Sequence, residues 1–258
     1  MSSDRPATLP LLAEGASRLG FDLSERQLGQ FQLYYETLLD WNSRVNLTAI
    51  NDYEGVQVRH FLDSLTVGAV LLRDLSAEGR PADEPPEGFS LIDIGTGAGF
   101  PGVPLKILWP GIRLALADSI GKKTAFLKEL ARALDLENVE VLTARAEELG
   151  RNKAHRERYG AVTARAVASL PVLCEYCLPL AEVGGRMLAP KKGDISQELR
   201  EAKRAARLVG GGEPRLYNFT LPGETEARAV VVIRKVSPTP PGYPRRVGLA
   251  RSRPLGGE

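Results

Sequence analysis

Two cysteines and two histidines in 258 residues leave little material for a disulfide framework or a metal centre. Cys174 and Cys177 have Cys-x-x-Cys spacing, but only His60 and His155 are available to complete a zinc site. No metal is therefore expected, and both thiols are expected to be buried and structural. No apolar run approaches the ~20 residues of a membrane span, and the first ten residues hold nothing like a secretory leader. The chain thus reads as cytoplasmic, with reduced thiols and no membrane partner. Internal repeats are absent, and a composition 43% hydrophobic and 26% charged excludes the collagenous, disordered and disulfide-scaffold classes. A chain of this length buries roughly 70 to 75% of its unfolded surface, enough for a core without a metal or a staple. Net charge is also small, +2, but unevenly placed. From Arg234 onward six basic residues stand against Glu258 alone, a net +5, which leaves −3 on the first 233 residues. A basic, Pro-rich tail on an acidic body suits a handle for a polyanion, and equally a solvated tail.

What is present divides the chain into a helical front (1–88), an alternating core (89–236) and the tail (237–258). In the front, Ser24 and Gln27 have capping-box spacing before Leu28, Phe31, Tyr35, Leu38 and Leu39 on one helical face. A second helical stretch from Val56 to Leu72 carries Val58, Phe61, Leu62, Leu65, Ala69 and Leu72. Trp41 to Ile50 reads as a loop between them, and Ser76 to Gly88, with Pro81, Pro85 and Pro86, as a surface linker. In the core, strands are expected at 89–94, 112–117, 139–142, 161–164 and 186–189. Helices are expected at 101–109, 121–134, 146–158, 170–181 and 195–208. The last two apolar runs, 216–221 and 227–236, lie too close together for a crossover and suit an antiparallel hairpin. An α/β architecture follows: a mostly parallel sheet with helices on both faces and an antiparallel C-terminal pair, the arrangement of Rossmann-like methyltransferases.

The most informative stretch, Asp93 to Gly102, follows a strand and opens a helix, so its glycines permit a sharp turn and close approach of a ligand. Gly97, Gly99 and Gly102 satisfy a dinucleotide pattern, the basis of a competing nicotinamide-dehydrogenase reading. Asp93 ahead of Gly95, Gly97 and Gly99 instead resembles the S-adenosylmethionine turn. Phe100 and Pro101 ill suit a phosphate cradle, whereas an acidic residue suits a ligand that carries an ammonium and a sulfonium. Asp93 would orient the loop or meet the ammonium. Asp118 ends the next strand, where a carboxylate can accept from both ribose hydroxyls; Ser119 would join it or cap the following helix. Ala146 and Glu147 follow the third strand, within reach of an adenine.

The segment after the fourth strand, Val162 to Ala168, lacks the Asn/Asp-Pro-Pro-aromatic turn of exocyclic-amine enzymes, and Cys174 and Cys177 lie too far along to attack a pyrimidine. What remains is an acceptor that is nucleophilic without help, such as guanine N7, for which catalysis is a matter of proximity and orientation, or one activated by a residue that the sequence does not mark. Arg165 suits either the cofactor or guanine O6, with a salt bridge at the strand end as the alternative.

The blocks Asn46-Leu47-Thr48, Arg59-His60-Phe61-Leu62-Asp63-Ser64-Leu65, Asp93 to Gly102, Asp118-Ser119 with Lys122-Lys123, Arg145-Ala146-Glu147, Thr163 to Ala168, Lys192-Gly193 and Tyr243-Pro244-Arg245-Arg246 together resemble the bacterial ribosomal small-subunit methyltransferase G family, also called glucose-inhibited division protein B. The resemblance implies transfer of methyl from S-adenosylmethionine to N7 of one guanine in 16S rRNA near the decoding site, on naked RNA or a 30S particle, with release of S-adenosylhomocysteine; a monomer is expected. It implies cofactor contacts at Gly95, Phe100, Asp118, Ser119, Ala146, Glu147 and Arg165, with His60 and Asp63 at the mouth of the active site. Lys192, Arg245, Arg246, Arg251 and Arg253 are expected to meet RNA. The tail departs from the family pattern, with Ala250 and Ser252 where a Pro and a Lys are expected. A non-catalytic RNA-binding protein with a relic cofactor site is the second alternative.

Overall fold

The chain is described here by a computed structural model over residues 9–77, 79 and 83–256. Residues 1–8, where no leader was expected, Pro81 of the linker, and Glu258 lie outside the described residues. The alternating core forms β1 (Ser90–Ile94), β2 (Arg113–Asp118), β3 (Val139–Thr143), β4 (Tyr159–Thr163), β5 (Ala181–Lys192), β6 (Arg215–Phe219) and β7 (Arg228–Arg234). They make one sheet in the order β3-β2-β1-β4-β5-β7-β6, with β7 antiparallel to both β5 and β6. Order reverses between β1 and β4, which pair in parallel, so the crevice beyond their carboxyl ends is where an open α/β sheet binds its ligand. The antiparallel β7 between β5 and β6 separates this sheet from the dinucleotide order 3-2-1-4-5-6.

Alternate residues of each strand face opposite ways, and each face is covered. Leu91, Leu114, Leu116, Ala161 and Leu188 pack in one core with the front helices α1 (Pro10–Arg18), α2 (Glu25–Asn42) and α4 (Asp63–Ser76), and with α5 (Gly102–Leu108) and α6 (Gly121–Ala133). Ile92, Ile94, Ala115, Ala117, Val162 and Met187 pack on the other face beneath α7 (Ala146–Arg151), α8 (Leu170–Cys177) and α9 (Ser196–Leu208). Cys174 and Cys177 belong to this second core as free thiols, and burial raises the pKa of both.

The capping box at the start of α2 forms as its spacing predicts: Ser24 N–H donates to Gln27 Oε1 at 2.9 Å and Ser24 Oγ accepts from Gln27 N–H at 3.3 Å. The buried face of α2 is Phe31, Tyr34 and Leu38, with Tyr35 only half-buried. The second front stretch starts as the single turn α3 (Tyr53–Gly55) and widens to a π-helix over Val56–Leu62 before α4. Two helices are shorter than expected. α7 ends at Arg151 instead of 158 because Arg151 to Ala154 offer no apolar face to bury and Asn152 is extended. α8 ends at Cys177, with Pro179 just beyond, and β5 then runs from Ala181 rather than 186, past Gly184 and Gly185.

Candidate active site

Gly95, Gly97 and Gly99 hold φ of +64°, +61° and +98°, the left-handed region that side-chain-bearing residues adopt at a cost. A Cβ at Gly95 would stand 2.6 Å from Val167 Cγ2, and one at Gly99 would stand 2.7 Å from the Tyr34 hydroxyl, whereas the space above Gly97 is open. Asp93 turns inward. Its Oδ2 accepts from Thr96 Oγ1 at 2.6 Å and from Gly102 N–H at 2.9 Å, and burial raises its pKa to about 7. Of the two roles expected for Asp93, orienting the loop is the one these bonds perform. The dinucleotide register fits poorly, because the amides of its second glycine, Gly99, and of Phe100 already bond the Thr96 carbonyl at 2.9 and 3.2 Å.

Beyond β1, β2 and β3 a cleft is lined by Gly95, Asp118, Ser119, Ala146, Glu147 and Val167, together with Tyr176, Gly248 and Arg251. Asp118 Oδ2 accepts from Gly97 N–H at 3.0 Å and Oδ1 from Ile120 N–H at 2.9 Å. A carboxylate has about four lone-pair sites, so two remain for a vicinal diol. Ser119 does not cap the following helix: α6 is entered through Ile120, and Asp118 holds that amide instead. Glu147 is buried, and its Oε1 accepts from Gly248 N–H at 3.0 Å, which ties the tail to this cleft. A larger cavity, about 860 Å³, opens at the amino ends of the strands beside His155 and Tyr159, and none of the expected site residues lines it.

Arg165 points elsewhere. Ala166 sits at φ +57°, a left-handed residue of the kind that clusters at functional sites, and the chain there divides two clefts. Val167 packs on Gly95 on one side, whereas Arg165 enters a second cleft of about 600 Å³ on the other. Arg165 Nη1 donates to Asp63 Oδ2 at 2.8 Å and to the Arg59 carbonyl at 3.2 Å, and its Nη2 lies 3.3 Å from His60 Nδ1. The π-helix makes room for this: the Asp63 amide bonds His60 and Val58 carbonyls and passes over that of Arg59. Arg165, expected at the cofactor or at guanine O6, pairs here with Asp63, and His60, Asp63 and Arg165 come together as one cluster. His60 Nε2 lies 2.8 Å from Thr48 Oγ1, in a loop pinned by Asn42, whose Oδ1 accepts from Leu47 and Thr48 amides. Burial and the Arg165 charge lower the His60 pKa to about 3. With Arg165 donating to Nδ1, the ring is neutral and carries its proton on Nε2.

Phe100 does not line the first cleft either. Its ring stacks on His60 at 4.4 Å and on Tyr34 at 5.2 Å, with the Arg165 guanidinium 5.0 Å from its centre. Its side chain buttresses the turn. Tyr34, whose hydroxyl donates to the Ala98 carbonyl at 2.5 Å, completes that buttress and was not singled out in the sequence. It lies one residue from Tyr35 in an amphipathic pattern that both satisfy.

The tail is not a loose basic arm. Lys235 is buried against Glu157, Arg234 pairs with Asp74, and Arg245 grips the buried Glu175 through Nε at 2.9 Å and Nη2 at 2.6 Å. Arg245, expected at phosphate, is thus an internal clamp, since withdrawing it would strand a buried carboxylate. Arg156 holds the Thr239 and Tyr243 carbonyls, and Ala250, within α10 (Leu249–Ser252), and Leu255 are buried. Arg246, Arg251 and Arg253 are exposed, with Arg251 Nη2 donating to the Val167 carbonyl at 3.0 Å. Lys192 is exposed beside Glu226, 3.2 Å away.

The residues fit S-adenosylmethionine. The bare glycine at 97 leaves backbone open to a ligand, Asp118 keeps lone pairs for a ribose, and Oδ1 of the buried Asp93 has no partner among the described residues. A sheet of this order with this turn defines the class: a Rossmann-like, S-adenosylmethionine-dependent methyltransferase. In fold the chain is similar to the magnesium protoporphyrin IX methyltransferase of Synechocystis PCC 6803, solved with bound SAM, at TM-score 0.52 and 16% identity over 82% of this chain and 98% of that one. The chain belongs to the rRNA small subunit methyltransferase G family, whose model, GidB, matches residues 27–221. It is 51% identical to ribosomal RNA small subunit methyltransferase G of Roseiflexus sp. (strain RS-1) over 96% of this chain and 100% of that protein. It is 45% identical to the protein of that name from Dehalococcoides mccartyi (strain CBDB1) over 95% of this chain and 98% of that one. Among the described residues no helix is long and apolar enough to cross a membrane.

Proposed function

We propose that the protein methylates N7 of one guanine in 16S rRNA, in the cytoplasm, with the target offered as naked RNA or in a 30S particle. The observation that carries this reading is the pair of clefts that meet at Arg165-Ala166-Val167, one with the features of a nucleoside-binding site and one with room for a base. S-adenosylmethionine supplies an electrophilic methyl carbon on a sulfonium. Gly95, Gly97, Asp118, Ala146 and Glu147 would hold it, with Asp93 bracing the turn beneath. The N7 lone pair forms the new C–N bond as the C–S pair returns to sulfur, and no proton moves, so no base is needed. A neutral His60, locked between Thr48 and Arg165, accords with that chemistry, and its part is to position Arg165. Alignment of N7 with the methyl carbon would supply the acceleration.

The test is transfer of labelled methyl to unmodified 16S RNA and to 30S particles, with the modified base mapped by m7G-specific cleavage and primer extension. A single m7G is the expected result. Binding of S-adenosylmethionine without transfer to either substrate would favour a relic site, and binding of NAD in its place would overturn the cofactor assignment.

A further inference from the structure

The second cleft is lined by five cations and five carboxylates, and so is balanced in charge. A cleft built for phosphate would carry an excess of donors, whereas this one offers donors and acceptors together with Ile50, Pro190 and Ile195 as apolar surface. Those are the needs of a flat, neutral, hydrogen-bonding base. Guanine differs from adenine by presenting N1–H and an exocyclic amine side by side, a pair that one carboxylate accepts with both oxygens.

Most carboxylates of the cleft are committed. Both oxygens of Asp63 face guanidinium groups, Oδ2 that of Arg165 at 2.8 Å and Oδ1 that of Arg228 at 3.3 Å. Glu198 holds Lys191 and the Leu170 amide at 2.7 and 2.8 Å. Glu226 and Asp194 stand exposed at the rim. Glu224 is different: it is three-quarters buried, and its contacts are loose, 3.3 Å to Arg228 and 3.9 Å to Arg59. Arg228, at the start of β7, bridges Glu224 and Asp63, and its buried Nε has no partner among the described residues. The β6–β7 hairpin thereby connects Glu224 to the Asp63–Arg165 pair at the wall between the clefts.

We infer that Glu224 reads the N1–H and amino edge of the acceptor guanine and that Arg228 is the positioning residue that aims it. The inference rests on the guanine reading above and adds the residue that selects the base. Methylation leaves the purine ring positively charged and its N1–H more acidic, so the bond to Glu224 strengthens as the methyl transfers. An interaction that is stronger in the transition state raises kcat as well as affinity.

Glu224→Gln and Arg228→Lys test this on full-length protein with a target RNA carrying guanosine or inosine, which lacks the exocyclic amine, at the methylated position. Wild type should prefer guanosine to inosine by about tenfold or more, the worth of a hydrogen bond to a charged group. Glu224→Gln should lose about tenfold to a hundredfold in kcat/KM on guanosine, mostly in kcat, and level the two substrates. Arg228→Lys should lose activity in the same sense while calorimetric S-adenosylmethionine affinity stays unchanged in both variants. Unaltered guanosine preference in an active Glu224→Gln protein overturns the assignment, as does loss of cofactor binding in step with activity. Absence of transfer by wild type to guanosine RNA overturns the guanine reading itself, a separable result.

Discussion

His60 illustrates how little a residue's type settles its role. An exposed histidine titrates near 6.5. Here burial and the Arg165 guanidinium push the ring to about 3. Because the folded pKa is the lower one, the stability this ring contributes is complete above pH 6.5 and is lost as pH falls toward 3. The full span amounts to about 5 kcal/mol. His60→Gln should therefore be less stable than wild type at pH 7, and the gap between their thermal midpoints should narrow as pH falls from 6.5 to 4. A constant gap would mean that His60 does not carry the acid sensitivity. Neighbouring tail arginines separate as sharply. Arg245→Ala strands the buried Glu175 and should cost about 3 kcal/mol in denaturant unfolding. Arg246→Ala, at an exposed position, should stay within about 0.5 kcal/mol of wild type.

At the scale of elements, the glycine turn is held from below by Asp93 and from the side by α2, through Tyr34. Gly95→Ala would force a side chain into the left-handed region, at about 1–2 kcal/mol, and push Val167 off the turn. Affinity for S-adenosylmethionine, measured by calorimetry, should fall about tenfold or more, and unchanged affinity would show that Val167 yields freely. The turn, the strand-end Asp118 and the Ser24 capping box were legible in sequence because each is set by local backbone needs and short spacing. The π-helix at Val56–Leu62 was not, since its apolar residues satisfy ordinary helical spacing and only the placement of Arg165 uses the shifted carbonyl. The early end of α7 was missed for a related reason: Asn152 to Glu157 answer to the tail's carbonyls through Arg156.

Across the whole molecule, charge behaves differently from its linear sum. Three of the six basic residues from Arg234 onward, namely Arg234, Lys235 and Arg245, are paired with carboxylates of the body. Binding to RNA should therefore depend on Arg246, Arg251 and Arg253. Replacing all three with Ala should reduce the slope of log K against log salt by about 2 on single-stranded RNA. An unaltered slope would assign the phosphate contacts to another surface.

The sequence by itself determined the sheet, the turn and the cofactor class, because period, glycine placement and strand-end carboxylates are constraints among residues near one another. Only the tertiary structure decided which charges remain available and which residues share a cleft. Arg165 meets Asp63 across 102 positions and Arg228 meets the same carboxylate across 165. Nothing in local spacing encodes such pairs; they exist because the order reversal at β1 and β4 and the return of β7 bring distant strand ends to one edge of the sheet.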